Sequence, residues 1–358
     1  MAGNRTDDPP ALPLANTNTR VTVRHVASAV GVSASTVSRA LSGGPGSELI
    51  GDETRRKVLD VARQLGYSPS PIAKALRGGR SNLIGLILRE IADPFFARLS
   101  QELITCARDA GYQILLGYAH GDPDTALDVG SVLDTRHIDG AVVMGDLTNN
   151  EQVLTTLLST IPAAVGLCRG ASVQGLFTIN SDNLAGTEAL LTHLFDLGHR
   201  RVAYLDGGLI GDIQERRQAF MSGARRRSLH VPAEYVQEAA DGLAGGYQSM
   251  TRLLTLPQRP TAVIASDDMI AIGAIKAVLD AGLSVPHDVS ITGFDDIELA
   301  QYSYPSLTTV RQPTRRMVEQ TLSSLLMLIT EQRLPDTESI VRIPPKLIVR
   351  QSTAAPPA

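Results

Sequence analysis

The sequence has no tryptophan and only two cysteines among its 358 residues. Cys106 and Cys168 lie far apart and fit no metal-binding or redox spacing, which indicates a reduced, intracellular setting. No run of about 18 apolar residues is present, which excludes a membrane-spanning helix. Residues 1–20 lack the apolar core of a secretory signal and are typical of a disordered polar tail. We therefore expect a cytoplasmic protein with no membrane partner.

Recognisable enzyme motifs are also missing. The chain has no phosphate-binding P-loop, no dinucleotide fingerprint and no nucleophile elbow. The segment HGDPD brings His120, Asp122 and Asp124 together in sequence, but a polar turn after a strand explains it better than a metal site. We therefore expect no catalytic residue, no metal and no cofactor, in a protein that is not an enzyme.

Positive charge is concentrated in one short region. The segment from Arg20 to Arg80 holds ten Lys or Arg against four Asp or Glu, a charge of +6. The whole chain carries −4, so the rest of it is acidic. A small basic module on a large acidic body predicts that one part binds a polyanion and that the other does not.

The basic region has the pattern of three short helices. Thr22 is placed to cap a helix over VRHVASAV, and Gly31 permits the left-handed turn after it. Ser33 is the natural cap of a second helix, ASTVSRALS, and a third, DETRRKVLDVARQL, ends at Gly66. The helical spacing predicts an apolar core made of Ala27, Val30, Val37, Leu41, Val58, Ala62 and Leu65.

Two short helices around a glycine turn, braced by a third, form the helix-turn-helix plan. In this plan the second helix lies in the major groove of DNA, and the small side chains of Ala34 and Ser35 allow a close approach to base edges. Arg39 is the one long side chain there, and its guanidinium suits guanine O6 and N7 or a phosphate. Hydroxyls suited to phosphate contacts are those of Thr22, Ser33, Thr36 and Ser38. A purely structural three-helix module is the alternative, and the +6 charge favours DNA binding.

From Asn82 onward, apolar runs alternate with helical patterns. Buried parallel strands are predicted at NLIGLIL, QILLGYA, IDGAVVMG, IPAAVGL, RVAYLDGG, EYVQEA, TAVIAS and VSITGFDD. Several helices between them end alike, in DAGY, DLGH and DAGL, where glycine caps the helix before the next strand. This order predicts an α/β body with two doubly wound parallel sheets. Its ligand site is expected in the crevice at the carboxyl ends of the strands.

Three segments carry a resemblance to a known family: VTVRHVASAVGVSASTVSRALSG, ETRRKVLDVARQLGYSPS and PIAKALRGGRSNLIGLIL. They resemble the DNA-binding head and linker of LacI/GalR-family transcriptional regulators, and the likeness runs from Val21 to about Ser352. Ser42, which the resemblance places among the DNA contacts, departs from the asparagine usual in the family. The resemblance implies a multi-domain chain, with an all-α helix-turn-helix head and a two-lobed, periplasmic-binding-protein-like α/β effector domain.

The resemblance also implies the division of the chain. The expected segments are a tail at 1–20, the head at 21–68, a hinge at 69–81, a first lobe at 82–181 and 312–335, a second lobe at 182–311 and 336–352, and a tail at 353–358. The chain is thus expected to cross between the lobes near Ser181, Arg311 and Pro335.

The hinge is too short for a helix that is stable alone, because isolated helices under about 12 residues are marginal in water. The resemblance implies that the hinge helices of a dimer enter the minor groove side by side, where Leu76 wedges into the central base step. The expected DNA contacts of this segment are Ile72, Ala73, Lys74 and Leu76. A plain flexible linker is the alternative.

Polar residues at the predicted strand ends are the candidates for effector binding. Asp295 follows the strand VSITGF, Ser266 follows TAVIA, and Arg216 begins the helix RRQAFMSGA. By motif position these three match effector contacts of the family, and Asp295 with Arg216 offers the acceptor and donor fork that a polyhydroxylated ligand needs. Phe95 and Phe96 of DPFF are expected to add an apolar wall. A turn residue at 295, a helix cap at 266 and core packing of the two phenylalanines are the alternatives.

These features together predict a homodimeric, ligand-controlled transcriptional repressor. Each head reads one half-site of a near-palindromic operator, and closure of the lobes around a small-molecule effector, a sugar or sugar derivative, changes the affinity for DNA. The alternatives are a cytoplasmic solute-binding protein whose output is not DNA binding, a sugar-modifying enzyme on the same scaffold, and a regulator that responds to a nucleobase-type ligand. An inducer and a corepressor are both compatible with the sequence, as are repression and activation.

Overall fold

The structure is a computed structural model, which describes residues 21–42, 49–67, 80–118, 138–146, 158–159, 161, 163–168, 176–208, 211–240, 242–333 and 339–357. The chain divides into two compact units, Met1–Gly79 and Arg80–Ala358. The predicted hinge contacts Ile72, Ala73, Lys74 and Leu76 lie outside the described residues, as does the side chain of Ser42.

Three helices form the described part of the first unit. They are α1 (Val23–Val30), α2 (Ala34–Ser42) and α3 (Asp52–Gln64). Thr22 is the N-cap of α1, as predicted, and its backbone N–H donates to Nδ1 of His25 over 3.2 Å. Gly31 ends α1 at φ 79°, a left-handed conformation that glycine adopts without strain. Ser33 caps α2, because its Oγ accepts from the backbone N–H of Thr36 over 3.0 Å.

An apolar cluster holds these three helices together. Its buried members are Val26, Ala27, Val30, Val37, Ala40, Val58 and Ala62. The inward positions predicted on α1 and α2 are confirmed, and Leu41 is partly buried against the cluster. The prediction for Leu65 is wrong, since its side chain is 40% exposed. Leu65 follows the last residue of α3, so the helical spacing no longer directs it toward the core. The described residues thus have the predicted helix-turn-helix arrangement.

The second unit alternates strands and helices. In chain order its elements are β1 (Leu83–Leu88), α4 (Pro94–Asp109), β2 (Gln113–Tyr118), β3 (Gly140–Met144), β4 (Ala164–Leu167), β5 (Phe177–Ser181), α5 (Asn183–Asp196), β6 (Val202–Asp206), α6 (Gly211–Arg226), β7 (Val236–Glu238), α7 (Gly242–Leu254), β8 (Ala262–Ala265), α8 (Asp268–Asp280), β9 (Ser290–Thr292), α9 (Glu298–Tyr302), β10 (Thr309–Arg311), α10 (Thr314–Glu331), β11 (Ile340–Ile343) and β12 (Lys346–Ile348). Among the residues described, no helix is long and apolar enough to cross a bilayer.

Most of these strands form two parallel sheets. The first sheet has the order β11-β5-β4-β3-β1-β2, and every neighbouring pair in it is parallel. The second sheet has the order β7-β6-β8-β9 and is also parallel throughout, while β10 and β12 form a separate antiparallel pair. β3, β5 and β6 are buried at every position, as expected of parallel strands covered on both faces. The predicted α/β class is confirmed.

The helices pack closely on the sheets and on each other. α4 and α10 contact each other beside the first sheet, and α7 and α8 pack together beside the second. Two glycines allow the close approach of α7 and α8. A Cβ at Gly246 would lie 2.1 Å from the carbonyl oxygen of Ile270, and a Cβ at Gly273 would lie 2.1 Å from that of Leu243. Only glycine fits at either position without moving a backbone.

Two boundaries differ from the predicted division. β11 pairs with β5, so the chain leaves the first sheet after Ile343 and not near Pro335. The apolar strand IVRI covers an edge of β5 that would otherwise lack a partner. Arg80 and Ser81, predicted in the hinge, belong to the second unit. Ser81 is anchored there, because its backbone N–H donates to Oδ1 of Asp139 over 2.8 Å.

Residues 353–358 are predicted as a tail, but Ala354 is hydrogen-bonded to residues beside the second sheet. The backbone N–H of Ala354 donates to Oγ of Ser290 over 3.0 Å. The carbonyl oxygen of Ala354 lies 2.8 Å from Nε2 of His199, which is fully buried. The end of the chain is therefore held by hydrogen bonds on the body.

Candidate functional site

The second helix of the first unit presents small polar residues to solvent. Ser33, Ser35 and Arg39 are exposed, as is Thr22 before α1, whereas the other predicted contacts are partly exposed: Ala34, Thr36 and Ser38. Ser35 and Arg39 therefore lie on the face of α2 away from the core, whereas Ala34 packs partly against the core. Exposed cations continue over the unit at Arg24, Arg55, Arg56, Lys57 and Arg63. This distribution suits contact with a polyanion.

The hydroxyls at the start of α2 are bonded to one another. Ser33 Oγ lies 2.7 Å from Ser35 Oγ and 2.8 Å from Thr36 Oγ1, and it also accepts from the backbone N–H of Thr36. A serine hydroxyl has one donor and two acceptor positions, so these three contacts use its full capacity. Ser33 therefore shapes the start of α2, and a phosphate contact by its side chain would require one of these bonds to break.

A cavity lies in the second unit, where the carboxyl ends of strands from both sheets meet the first turns of helices. Its empty volume is about 460 Å³, part of which is open to solvent. The described residues that line it are Arg89, Asp93, Phe95, Phe96, Asp146, Cys168, Gly211, Asp212, Ile213, Arg216, Asp267 and Asp295. The sequence prediction of a ligand site at the strand ends agrees with this position, which is where open α/β sheets bind ligands.

Arg216 is the most connected side chain in the lining. Its Nε donates to Oδ1 of Asn183 over 2.9 Å, and its Nη1 donates to the carbonyl oxygen of Ser266 over 2.7 Å. Nη1 also lies 3.3 Å from Oδ1 of Asp295, and the guanidinium carbon lies 3.8 Å from the centre of the Phe294 ring. Arg216 lies in the second turn of α6, so the prediction that it begins its helix is wrong. That helix begins earlier, at Gly211.

Asp295 completes this buried pair. It accepts a hydrogen bond from Nε2 of Gln312 over 2.6 Å. Burial raises the pKa of Asp295 well above its usual range, and the charge of Arg216 opposes the rise. Asp295 and the next residue, Asp296, have φ values of 111° and 54°. Such values are uncommon outside glycine, so the surrounding contacts must hold this dipeptide in place.

Asp296 joins two segments of chain near the cavity. Its Oδ1 accepts from Nη2 of Arg350 over 2.6 Å, and its Oδ2 accepts from Nε of Arg311 over 2.5 Å. Arg311 ends β10, where the chain passes from the β10–β12 pair toward α10, which packs beside the first sheet. The carboxylate of Asp295 therefore lines the cavity, while that of the next residue, Asp296, binds Arg311 at the point where the chain crosses.

The other predicted effector contacts differ in their positions. Phe95 and Phe96 both line the cavity, with ring centres 5.4 Å apart, although both also belong to the apolar core. Ser266 is buried beside the cavity but is not part of its described lining. Its Oγ accepts from the backbone N–H of Gly207 over 2.9 Å, so this hydroxyl supports the adjoining loop. It is not the helix cap either, since Asp267 caps α8.

Five charged residues of the lining were missing from the sequence prediction. They are Arg89, Asp93, Asp146, Asp212 and Asp267. The rule that selected Asp295, a polar residue just after a buried strand, applies equally to Arg89 after β1 and to Asp146 after β3. Asp93 and Asp267 are recognisable as helix caps. Burial raises the pKa of Asp212 to about 6 and that of Asp267 to about 6.

Comparisons with known proteins agree for both units. Residues 22–70 match the family model of bacterial regulatory proteins of the lacI family, and residues 191–353 match that of a periplasmic binding protein-like domain. The chain is 31% identical over 284 residues to the HTH-type transcriptional repressor CytR of Escherichia coli K12, covering 77% of this chain and 81% of CytR. It is 31% identical over 343 residues to the repressor PurR of Erwinia tasmaniensis, covering 94% of this chain and 98% of PurR.

Solved structures show the same architecture. The lac repressor dimer bound to operator and the anti-inducer ONPF superimposes with a TM-score of 0.82 at 25% identity, covering 94% of this chain and all of that one. A complex of the transcriptional regulator CelR with cellobiose gives a TM-score of 0.69 at 25% identity, covering 93% of this chain and 100% of CelR. These likenesses confirm the predicted combination of a helix-turn-helix head with a periplasmic-binding-protein-like body.

Proposed function

This chain belongs to the lacI family of bacterial regulatory proteins, and we propose that it is a cytoplasmic, homodimeric repressor whose operator affinity is set by a sugar or sugar derivative. It is a DNA-binding regulator with an effector domain, as its relatives are. We further propose that each head reads one half-site of a near-palindromic operator, and that the effector binds in the cavity of the second unit. No catalytic step is assigned to any residue.

The exposed face of α2 is the observation that carries the proposal. Small side chains there surround one long cation, Arg39, and five further exposed cations lie on the same unit. A recognition helix must enter a major groove only about 12 Å wide, which favours slim side chains beside the reading residue. We assign base reading to Arg39 with Ala34 and Ser35, phosphate contacts to Thr22, Ser33, Thr36 and Ser38, and a further DNA contact to Ser42.

Substituting Arg39 tests this assignment. Arg39→Ala should lose most of the discrimination between operator and random DNA, because a bidentate base contact contributes about 1–3 kcal/mol. Nonspecific, salt-sensitive binding should largely persist, since the phosphate contacts are unchanged. Arg63→Ala is the matched control for loss of one positive charge, because Arg63 has an 80% exposed side chain on α3 of the same unit, and it should leave the ratio of operator affinity to random-DNA affinity unchanged. Equal losses of specific and nonspecific affinity in Arg39→Ala would make Arg39 a phosphate contact.

For the hinge, we propose the minor-groove role of Ile72, Ala73, Lys74 and Leu76. The likeness to a repressor dimer solved on its operator supports it. Leu76→Ala should reduce operator bending and affinity without changing the stability of the effector domain, because an apolar wedge acts only on bound DNA. Operator affinity unchanged by this substitution would leave the plain linker as the better interpretation.

For the effector, we propose a ligand with several hydroxyls in the cavity. The buried Arg216–Asp295 pair and the Phe95–Phe96 wall support it, as does the sugar in the CelR complex. A thermal-shift screen of sugars, sugar phosphates and nucleobases should identify the ligand, because binding to the native state raises its apparent stability. Each hit is then tested for its effect on operator affinity. Stabilisation by nucleobases alone would favour the nucleobase-type regulator.

A further inference from the structure

The described lining of the cavity has an excess of negative charge. It contains five carboxylates, those of Asp93, Asp146, Asp212, Asp267 and Asp295, against the guanidinium groups of Arg89 and Arg216. Arg216 is already engaged by Asn183, the Ser266 carbonyl and Asp295. Among the residues that the structure describes, no three His, Cys, Asp or Glu side chains are placed to hold a metal ion.

The N-termini of α4 and α8 at the cavity do not offer anion sites either, and the third helix that begins there, α6, carries Asp212 in its first turn. The positive end of a helix dipole ordinarily attracts an anion, and both α4 and α8 begin here. At α4, however, Oδ1 of Asp93 accepts from the backbone N–H of Phe95 over 2.8 Å. At α8, Oδ1 of Asp267 accepts from the backbone N–H of Ile270 over 2.8 Å. The protein's own carboxylates already occupy these positions.

Two polar atoms of opposite character in the lining have no partner among the described residues. They are Oδ1 of Asp212, an acceptor, and Nε of Arg89, a donor, and both atoms are buried. A buried polar atom without a hydrogen bond costs free energy, so a ligand that satisfies both atoms gains from each. Such a ligand must donate to a carboxylate and accept from a guanidinium.

We propose that the effector is a polyhydroxylated molecule with a basic nitrogen, such as an amino sugar. Its ammonium group donates to Asp212, an oxygen accepts from Arg89, and phosphorylated or carboxylated analogues are rejected by the acidic lining. This inference rests on the proposed function, because it names the ligand of the same cavity. Burial raises the pKa values of Asp93, Asp212 and Asp267, so a cationic group of a ligand in the cavity would favour their charged forms.

Matched sugars that differ in one group provide the test. The probes are glucose, glucosamine and glucose 6-phosphate, and the corresponding galactose and mannose sets, titrated by calorimetry into the full-length protein. We expect at least one amino sugar to bind about tenfold or more tighter than its hydroxyl parent, as one added charged contact would give. We expect no phosphate to bind. Tightest binding by a phosphate, equal binding by amine and parent in every set, or no binding by any amino sugar would overturn the proposal.

A substitution assigns the effect to one carboxylate. Asp212→Asn should remove the tenfold preference for the amine and leave the affinity for the hydroxyl parent within about twofold, because the amide keeps an acceptor but loses the charge. Asp280→Asn is the matched control. Asp280 is an exposed carboxylate paired with Lys276 on α8, so its substitution should change neither affinity. An amine preference that persists in Asp212→Asn would overturn the assignment.

Operator binding is measured on the same samples. Specific operator binding together with a cavity that prefers anions would contradict the inference and leave the proposed function standing. Absence of specific DNA binding would contradict the proposed function itself, whichever sugar the cavity prefers. The two failures are therefore distinguishable.

Discussion

Removing Arg216 should destabilise the second unit strongly, because its partner Asp295 is left as a buried charge. The two side chains are 6% and 7% exposed, so water cannot replace the lost partner. Breaking one side of a buried ion pair costs about 3–5 kcal/mol. Arg216→Ala also leaves the carbonyl of Ser266 and the amide oxygen of Asn183 without their donor, which places the cost toward the upper end of that range.

The cost should increase with pH. Burial already holds the pKa of Asp295 above that of the unfolded chain, Asp268, Asp93 and Asp267 raise it further, and Arg216 lowers it. Loss of Arg216 therefore raises the folded-state pKa again. Stability associated with a raised carboxyl pKa is present at low pH and is lost as pH rises through the folded-state value. The free-energy cost of Arg216→Ala therefore increases over one pH interval, from the pKa of Asp295 in the folded native protein to its higher pKa in the folded variant. Within that interval the cost rises by up to about 1.4 kcal/mol per pH unit.

Urea unfolding followed by circular dichroism measures this cost, since the chain has no tryptophan to report by fluorescence. The series consists of Arg216→Ala, Asp295→Ala and the apolar pair Arg216→Met with Asp295→Leu, at about pH 5 and about pH 8. The double variant should cost less than the two single variants together, because it leaves no unpaired charge. Equal costs at both pH values, or additive costs, would refute this account of the pair. Effector titrations are interpreted only for variants that are folded.

Three further outcomes are expected. Ser33→Ala should lower the free energy of unfolding by about 0.5–2 kcal/mol, because the backbone N–H of Thr36 loses its cap. Ser33→Asp should restore stability but weaken operator binding. Equal operator affinity in the two variants would contradict this expectation. Gly246→Ala should lower the unfolding midpoint, because the new methyl meets the carbonyl oxygen of Ile270. The resulting strain costs about 1–3 kcal/mol. An unchanged midpoint would show that α7 and α8 can separate freely. Asp296→Asn should shift the effector concentration at which operator affinity changes, because it weakens the pairs of Asp296 with Arg311 and Arg350. An unchanged dose response would exclude Asp296 from the coupling between effector and operator binding.

Local features of this protein followed from the sequence alone, because each depends on neighbours a few positions away. A cap at Thr22 or Ser33 and a left-handed turn at Gly31 need only the next three residues, and the structure has all three. The alternation of buried strands and helices likewise predicted the two parallel sheets. The sequence also placed Asp295 and Arg216 at the correct edge of those sheets, because parallel strands end at a shared edge.

Tertiary structure decided the contacts between distant parts of the chain. Arg216 meets Asn183, Ser266 and Asp295, which are 33, 50 and 79 positions away, and no local pattern specifies these distances. β11 belongs to the first sheet because it pairs with β5, a strand that lies far from it in the sequence. The acidic excess of the cavity arises in the same way. Its carboxylates follow different strands or begin different helices, and only the stacking of those elements brings their charges together in one buried volume, where low solvation makes them interact strongly.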